Sequence, residues 1–207
     1  MRKILFLLLV SSSITSCEKG AGTFVLKGII SDLSFDQKLE GAWVTLYKVP
    51  VATSSLIIVD SVQLSQDGTY EFSFPREQIE KYVIKTSKEG YFDLHEEIYF
   101  STLTLENDNI RNFETYAKSW IGITIYNNAP LPTDHFRYIK QLGLEDCNAC
   151  CPSSQQDYFG TLDTTIYCVN NGNDPYSLIY WVIGTTNSDI ISQITSPFDT
   201  SYINITY

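Results

Sequence analysis

The chain has 207 residues and carries 24 acidic against 14 basic side chains, a formal net charge of −10 that argues against phosphate backbones and anionic membrane surfaces as partners. Its residues are 43% hydrophobic, enough to build a core, while the presence of only two histidines leaves little of the side chain most used in acid–base catalysis. Composition therefore points away from nucleic-acid binding and gives no support to catalysis.

The first residues read as export machinery. Met1-Arg2-Lys3 is a short basic start, and 4–10 is an uninterrupted apolar run that Ser11-Ser12-Ser13 closes at once. A spanning helix needs about 20 apolar residues, so 1–16 is expected to be a removable signal peptide. Ile14-Thr15-Ser16-Cys17 resembles the bacterial lipobox, in which an aliphatic and two small residues precede the cysteine that is acylated. The resemblance implies lipidation at Cys17, with the membrane as a partner through that lipid. The expected location is the outer membrane or cell surface of a Gram-negative bacterium. Each CH₂ buried in lipid contributes about 0.8 kcal/mol, and stable anchoring takes two chains or more. Without Arg2 and Lys3 the basic count falls from 14 to 12, and the formal net charge becomes −12.

Residues 17–22 form the lipidated cysteine and a short tether. From Thr23 onward, short apolar runs broken by turn residues predict an all-β fold. Strands are expected at about 23–31, 41–48, 56–64, 69–74, 81–87, 91–100 and 111–117, with a turn at Gln66-Asp67-Gly68 and one helical fragment at 76–81 after Pro75. Ala42, Val44 and Leu46 share one strand face, Trp43, Thr45 and Tyr47 the other, and Tyr70, Phe72 and Phe74 again share one. The stretches Lys27-Gly28-Ile29-Ile30-Ser31-Asp32, Gly41-Ala42-Trp43-Val44-Thr45-Leu46, Asp67-Gly68-Thr69-Tyr70-Glu71-Phe72 and Glu89-Gly90-Tyr91 resemble the carboxypeptidase regulatory-like, or transthyretin-like, domain. That resemblance implies a β-sandwich over 23–117 whose matched positions serve core and turn, without catalytic residues.

Composition shifts at Ala117-Lys118-Ser119, where Trp120-Ile121-Gly122-Ile123-Thr124-Ile125-Tyr126 opens a new alternating run with almost no linker. A second β-sandwich, immunoglobulin-like in pattern, is expected over 118–207, with strands at about 119–127, 135–141, 158–169, 176–186 and 201–207. No equal-length sequence repeat relates the halves.

Beyond Cys17, the cysteines are Cys147, Cys150, Cys151 and Cys168, an even number that in an exported chain predicts two disulfides. Three pairings are open: 147–150 with 151–168, 147–151 with 150–168, or 147–168 with a vicinal bond, which its short Cα separation disfavours. The same thiols could bind zinc, but that chemistry usually takes two Cys-x-x-Cys pairs, and Cys168 stands alone. His95-Glu96-Glu97 lacks the second histidine of a zincin helix, and no Gly-x-Ser-x-Gly elbow occurs. Acids at Asp93/Glu96/Glu97, Glu106/Asp108 and Glu145/Asp146 are the candidates for a glycosidase pair, and Asp32 and Asp36 for calcium ligands, without EF-hand spacing. Asp60-Ser61-Val62 and Asp163-Thr164-Thr165 resemble a bacterial O-glycosylation pattern. Outward aromatics such as Trp43 and Tyr47 are candidate contacts for a glycan or protein partner. The expectation is a membrane-anchored, non-catalytic binding or assembly module without metal or cofactor. The alternatives are a hydrolase using loop carboxylates on an extracellular polymer and a structural spacer.

Overall fold

A computed structural model describes residues 22–207; the expected signal peptide, Cys17 and most of the expected tether lie outside the described residues. The first half contains β1 (Thr23–Asp32), β2 (Gln37–Lys38), β3 (Trp43–Pro50), β4 (Ile57–Gln63), β5 (Thr69–Pro75), β6 (Ile79–Ser87), β7 (Leu94–Tyr99), β8 (Asn109–Ile110) and β9 (Phe113–Thr115). The second contains β10 (Lys118–Tyr126), β11 (His135–Leu142), β12 (Gln156–Phe159), β13 (Asp163–Asn171), β14 (Pro175–Val182), β15 (Ser188–Ile194) and β16 (Thr200–Thr206). The fold is all-β: two tandem sandwiches.

Alternation in the sequence builds each sandwich. In β5 the buried Tyr70, Phe72 and Phe74 alternate with exposed Thr69, Glu71, Ser73 and Pro75, the period-two pattern of a strand with one face on a core. Ala42, Val44 and Leu46 are likewise fully buried. These side chains meet Leu26 and Ile30 of β1 and Tyr82 and Ile84 of β6 in one apolar cluster between the sheet of β5, β1, β8 and β9 and the sheet β4-β3-β6-β7. A second cluster, sharing no residue with the first, joins Ile121, Ile123, Ile125, Ile203 and Ile205 to Phe136, Tyr138, Tyr176 and Leu178. Each such side chain contributes about 1.5–3 kcal/mol by leaving water.

The two sandwiches share one strand order. In the first, β1 lies between antiparallel β5 and parallel β8 and β9; in the second, β10 lies between antiparallel β13 and parallel β16. The opposing sheets, β4-β3-β6-β7 and β12-β11-β14-β15, also correspond strand for strand. The duplication is topological and is not visible as a sequence repeat.

Backbone and side-chain contacts close the joint between them. Lys118 N–H donates to Gly90 O at 2.7 Å, Gly172 N–H to Ala117 O at 2.8 Å, and Phe198 N–H to Lys118 O at 2.7 Å. Asn173 Nδ2 donates to Ser34 O at 2.6 Å. Phe198 stacks on Phe35 with ring centroids 5.9 Å apart and meets the edge of Tyr91 at 5.4 Å. A Cβ on Gly90 would sit 2.8 Å from the Phe198 ring, so only glycine admits it.

Four expectations change. Residues 76–81 form no helix: Arg76 N–H donates to Gly22 O at 2.8 Å, and buried Ile79 opens β6, so tertiary pairing overrides the Pro75 signal. The single strand expected at 158–169 is two strands in opposite sheets, with the crossing at Gly160, whose φ of +71° suits glycine. The run at 91–100 starts as a strand only at Leu94 and ends in a 3₁₀ turn, Phe100–Thr102. Strands β2, β8 and β15 were not expected; β15 is exposed along nearly its whole length, so it lacks the apolar alternation by which strands are read.

Candidate functional site

The outer face of the sheet β13-β10-β16 is the most distinctive surface. Ile121, Ile123 and Ile125 point into the core, so Trp120, Gly122, Thr124 and Tyr126 point out. Register places Val169, Tyr167, Thr165 and Asp163 beside them on β13. On β16 it places Thr200, Tyr202, Asn204 and Thr206. The grid has four rows of three, and Asp163 is its one charged member. Tyr167 is 60% exposed and Tyr202 50%, and both are level with Gly122. A Cβ on Gly122 would come within 2.7 Å of the Tyr202 ring and 3.4 Å of the Tyr167 ring, so both phenols lean in over the glycine. Hydrogen bonding to Tyr167 is the main cause that raises the Tyr202 phenol above the ordinary tyrosine value. In the next row Thr124 and Thr165 share a hydroxyl hydrogen bond of 3.1 Å.

The corresponding face of the first sandwich is different chemistry on the same strands. There Lys27 stands opposite Glu71, Ser31 opposite Glu114, and Lys27 pairs with Asp108. The fold itself therefore does not require an aromatic, nearly uncharged face.

The cysteine-rich loop is a structural knot beside this sheet. Cys147 bonds Cys150 and Cys151 bonds Cys168, the first of the three pairings, which leaves no thiolate of the four for zinc. Under the loop, buried Lys140 donates to Leu144 O at 2.7 Å, Cys151 O at 2.9 Å and Cys150 O at 3.4 Å. Burial pulls this ammonium below its ordinary value, against the opposing pull of Glu145 and Asp146. All three donors of the lysine are used, which compensates the cost of burying its charge. A cavity of about 400 Å³ between Lys140, Glu145, Asp146 and Ser153 opens above it.

The remaining candidates are spread over both sandwiches. Trp43 is 52% exposed and borders a hollow with Lys118 and Gly90, while Tyr47 on the same outer face is half-buried with Lys85 Nζ 5.5 Å from its ring centre. Glu96 and Glu97 are successive residues of β7 and so face opposite sides of the sheet, and Glu97 is held by Lys81 and the Tyr99 hydroxyl, both of which lower its carboxyl. Glu145 accepts a hydrogen bond from Ser153 at 2.6 Å. Asp32, expected as a loop acid, is fully buried at the end of β1, where it accepts from Tyr91 OH at 2.8 Å and Ser34 N–H at 3.0 Å. Among the described residues no cluster of His, Cys, Asp and Glu has the grouping of a metal site. His135 lies 2.5 Å from Asp157 and stacks on Phe159, with centroids 4.2 Å apart; Arg137 binds the same carboxylate at 2.8 Å. Sequence reading found the strand 119–127 but not the importance of its outer face, because that face is composed from three strands far apart in sequence.

No family model matches the chain, and no curated protein matches it. Among solved structures it is similar to the Bacillus anthracis TIE protein, at 14% identity and a TM-score of 0.35, covering 90% of this chain and 34% of that one. It is also similar to the Streptococcal ancillary pilin, at 10% identity and a TM-score of 0.34, covering 89% and 62%. For the shaft pilin spaA from Lactobacillus rhamnosus GG the values are 8%, 0.34, 90% and 97%. The chain thus spans about a third of the TIE protein and under two thirds of the ancillary pilin. Likeness at this level carries no activity with it.

Proposed function

We propose that this chain is an exported lipoprotein, anchored through lipid on Cys17 and the tether 17–22, that acts as a non-catalytic binding or assembly module. Residues 23–117 are read as its transthyretin-like sandwich and 118–207 as its immunoglobulin-like one. The contact surface is the outer face of β13-β10-β16. One observation carries this reading: half-buried Trp120 and exposed Tyr126, Tyr167 and Tyr202 gather on a grid whose twelve positions hold a single charge, with Lys118, the next outward residue of β10, set 5.7 Å from the Phe92 ring centre, and the matching face of the first sandwich lacks these aromatics. Exposed aromatic groups of this kind are the anchors of binding surfaces. Of the carboxylates considered for hydrolysis, one in each group is engaged: Glu97 by Lys81 and Tyr99, Asp108 by Lys27, and Glu145 by Ser153.

Hydroxyl-radical footprinting of the full chain in intact cells and after purification tests the surface. Lower labelling of Tyr167 and Tyr202 in cells is expected; equal labelling removes the face from the proposal. In the same cells Cys17→Ala should move the protein from the membrane to the soluble fraction, and continued membrane retention would refute the lipid anchor.

A further inference from the structure

We infer that the outer face of β13-β10-β16 binds a neutral polysaccharide built of pyranose rings with equatorial substituents. The inference rests on that face being the contact surface. Charge selects the ligand first: of the twelve positions in the grid only Asp163 is ionised, at one corner, and Lys118, which borders the Trp120 row, lies 5.7 Å from the Phe92 ring centre of the first sandwich, so an acidic polymer or head group finds no counter-ion within the grid. A large apolar partner is equally unsuited, since the grid holds one aliphatic side chain, Val169, and that residue is 9% exposed.

What remains matches a sugar chain on both of its surfaces. An equatorially substituted pyranose presents axial C–H bonds above and below the ring, and their positive hydrogens suit the negative face of an aromatic ring. Tyr167 and Tyr202 supply such rings side by side over Gly122, with Trp120 one row above and Tyr126 two rows below. The hydroxyls at a sugar's rim need partners that both donate and accept, and Thr124, Thr165, Thr200, Asn204 and Thr206 stand between and around the rings. At about 3.4 Å per residue, Trp120 to Tyr126 spans roughly 20 Å, and the three strands are about 10 Å across, a strip that takes several sugars in a row.

Affinity electrophoresis of the full chain in detergent, in gels holding hydroxyethylcellulose, xylan or polygalacturonate, tests the inference. Retardation by at least one of the two neutral polymers and none by the acidic one is expected. Tyr167→Ala with Tyr202→Ala should weaken that retention at least about tenfold, whereas Tyr167→Phe with Tyr202→Phe, which keeps both rings, should stay within about threefold. Should the double alanine variant fail to melt cooperatively, each single alanine variant removes one exposed ring and gives the same answer. No retardation by either neutral polymer, equal retardation by polygalacturonate, or undiminished retention in the alanine variants overturns the inference. Protection of Tyr167 and Tyr202 in cells without polysaccharide retention would leave the contact surface standing with a protein partner, whereas loss of both results would remove surface and ligand together.

Discussion

Asn173 donates its side-chain amide to the carbonyl of Ser34 across 139 positions of sequence, a hydrogen bond that ties the second sandwich to the first. Asn173 has a φ of +63°, a conformation asparagine tolerates better than most residues. With the Phe198 stack on Phe35 and Tyr91, this contact makes the sandwiches cooperate. Asn173→Ala combined with Phe198→Ala should cost about 1–2 kcal/mol for the hydrogen bond and about as much for the aromatic contacts. Scanning calorimetry should show one unfolding transition in the parent chain and two in the variant; an unsplit transition at unchanged temperature would mean the sandwiches do not support each other there.

Alkaline pH should unfold the chain steeply. Burial raises the phenols of Tyr70, Tyr91, Tyr138 and Tyr176 well above the ordinary 10.0, and that of Tyr82 to about 12. Each of these groups holds its proton more tightly folded than unfolded, so its contribution is complete below pH 10 and is lost as pH rises towards its folded value. Lys140 acts in the opposite sense, since its lowered value makes stability grow as pH approaches the ordinary 10.5. The tyrosines outnumber it. Denaturant midpoints should be flat from pH 7 to about 9 and then fall, by up to about 1.4 kcal/mol per pH unit for each tyrosine; a midpoint unchanged to pH 12 would contradict their burial.

The disulfide loop should depend on both of its fastenings. Cys151→Ser with Cys168→Ser opens a closure of 17 residues and should cost about 3 kcal/mol by loop entropy. Lys140→Met leaves the carbonyls of Leu144, Cys150 and Cys151 without that donor and should cost about 2–3 kcal/mol. Urea melts give both values. Alkylation without reductant should label none of the four cysteines, and two labelled thiols would disprove the pairing.

Asp157 should titrate far below an ordinary carboxylate. Hydrogen bonds from Arg137, Gln155 and His135 lower its carboxyl to about 2, Arg137 contributing most. The interaction is therefore complete above the ordinary 3.8 and lost as pH falls through about 2. Carboxyl NMR should find that midpoint in the parent chain and a higher one in Arg137→Met; identical midpoints would remove Arg137 as the cause.

Sequence alone carries the fold wherever a strand has one wet face and one dry one. Tyr70, Phe72 and Phe74 are legible because glutamate, serine and threonine separate them, and Ile121, Ile123 and Ile125 for the same reason. β15 is not legible, since of Ser188–Ile194 only Ile191 packs against the core and its pairing to β14 is made by backbone. Asp32 reads as a loop acid because nothing local announces that Tyr91, 59 residues away, will bond it. The candidate face was hidden for a related reason: Tyr167 and Tyr202 are ordinary strand tyrosines until the register sets both beside Gly122.

The parallel pairing of β10 with β16 also sets a schedule. Ile203 and Ile205 complete the wall begun by Ile121 and Ile123, yet they lie far along the chain from the strand they pair with. Until they arrive, the isoleucines of β10 have water where a neighbour belongs, and contacts so distant in sequence form slowly. The second sandwich thus has no stable half-built version, and β10 stays open along one edge until β16 docks beside it.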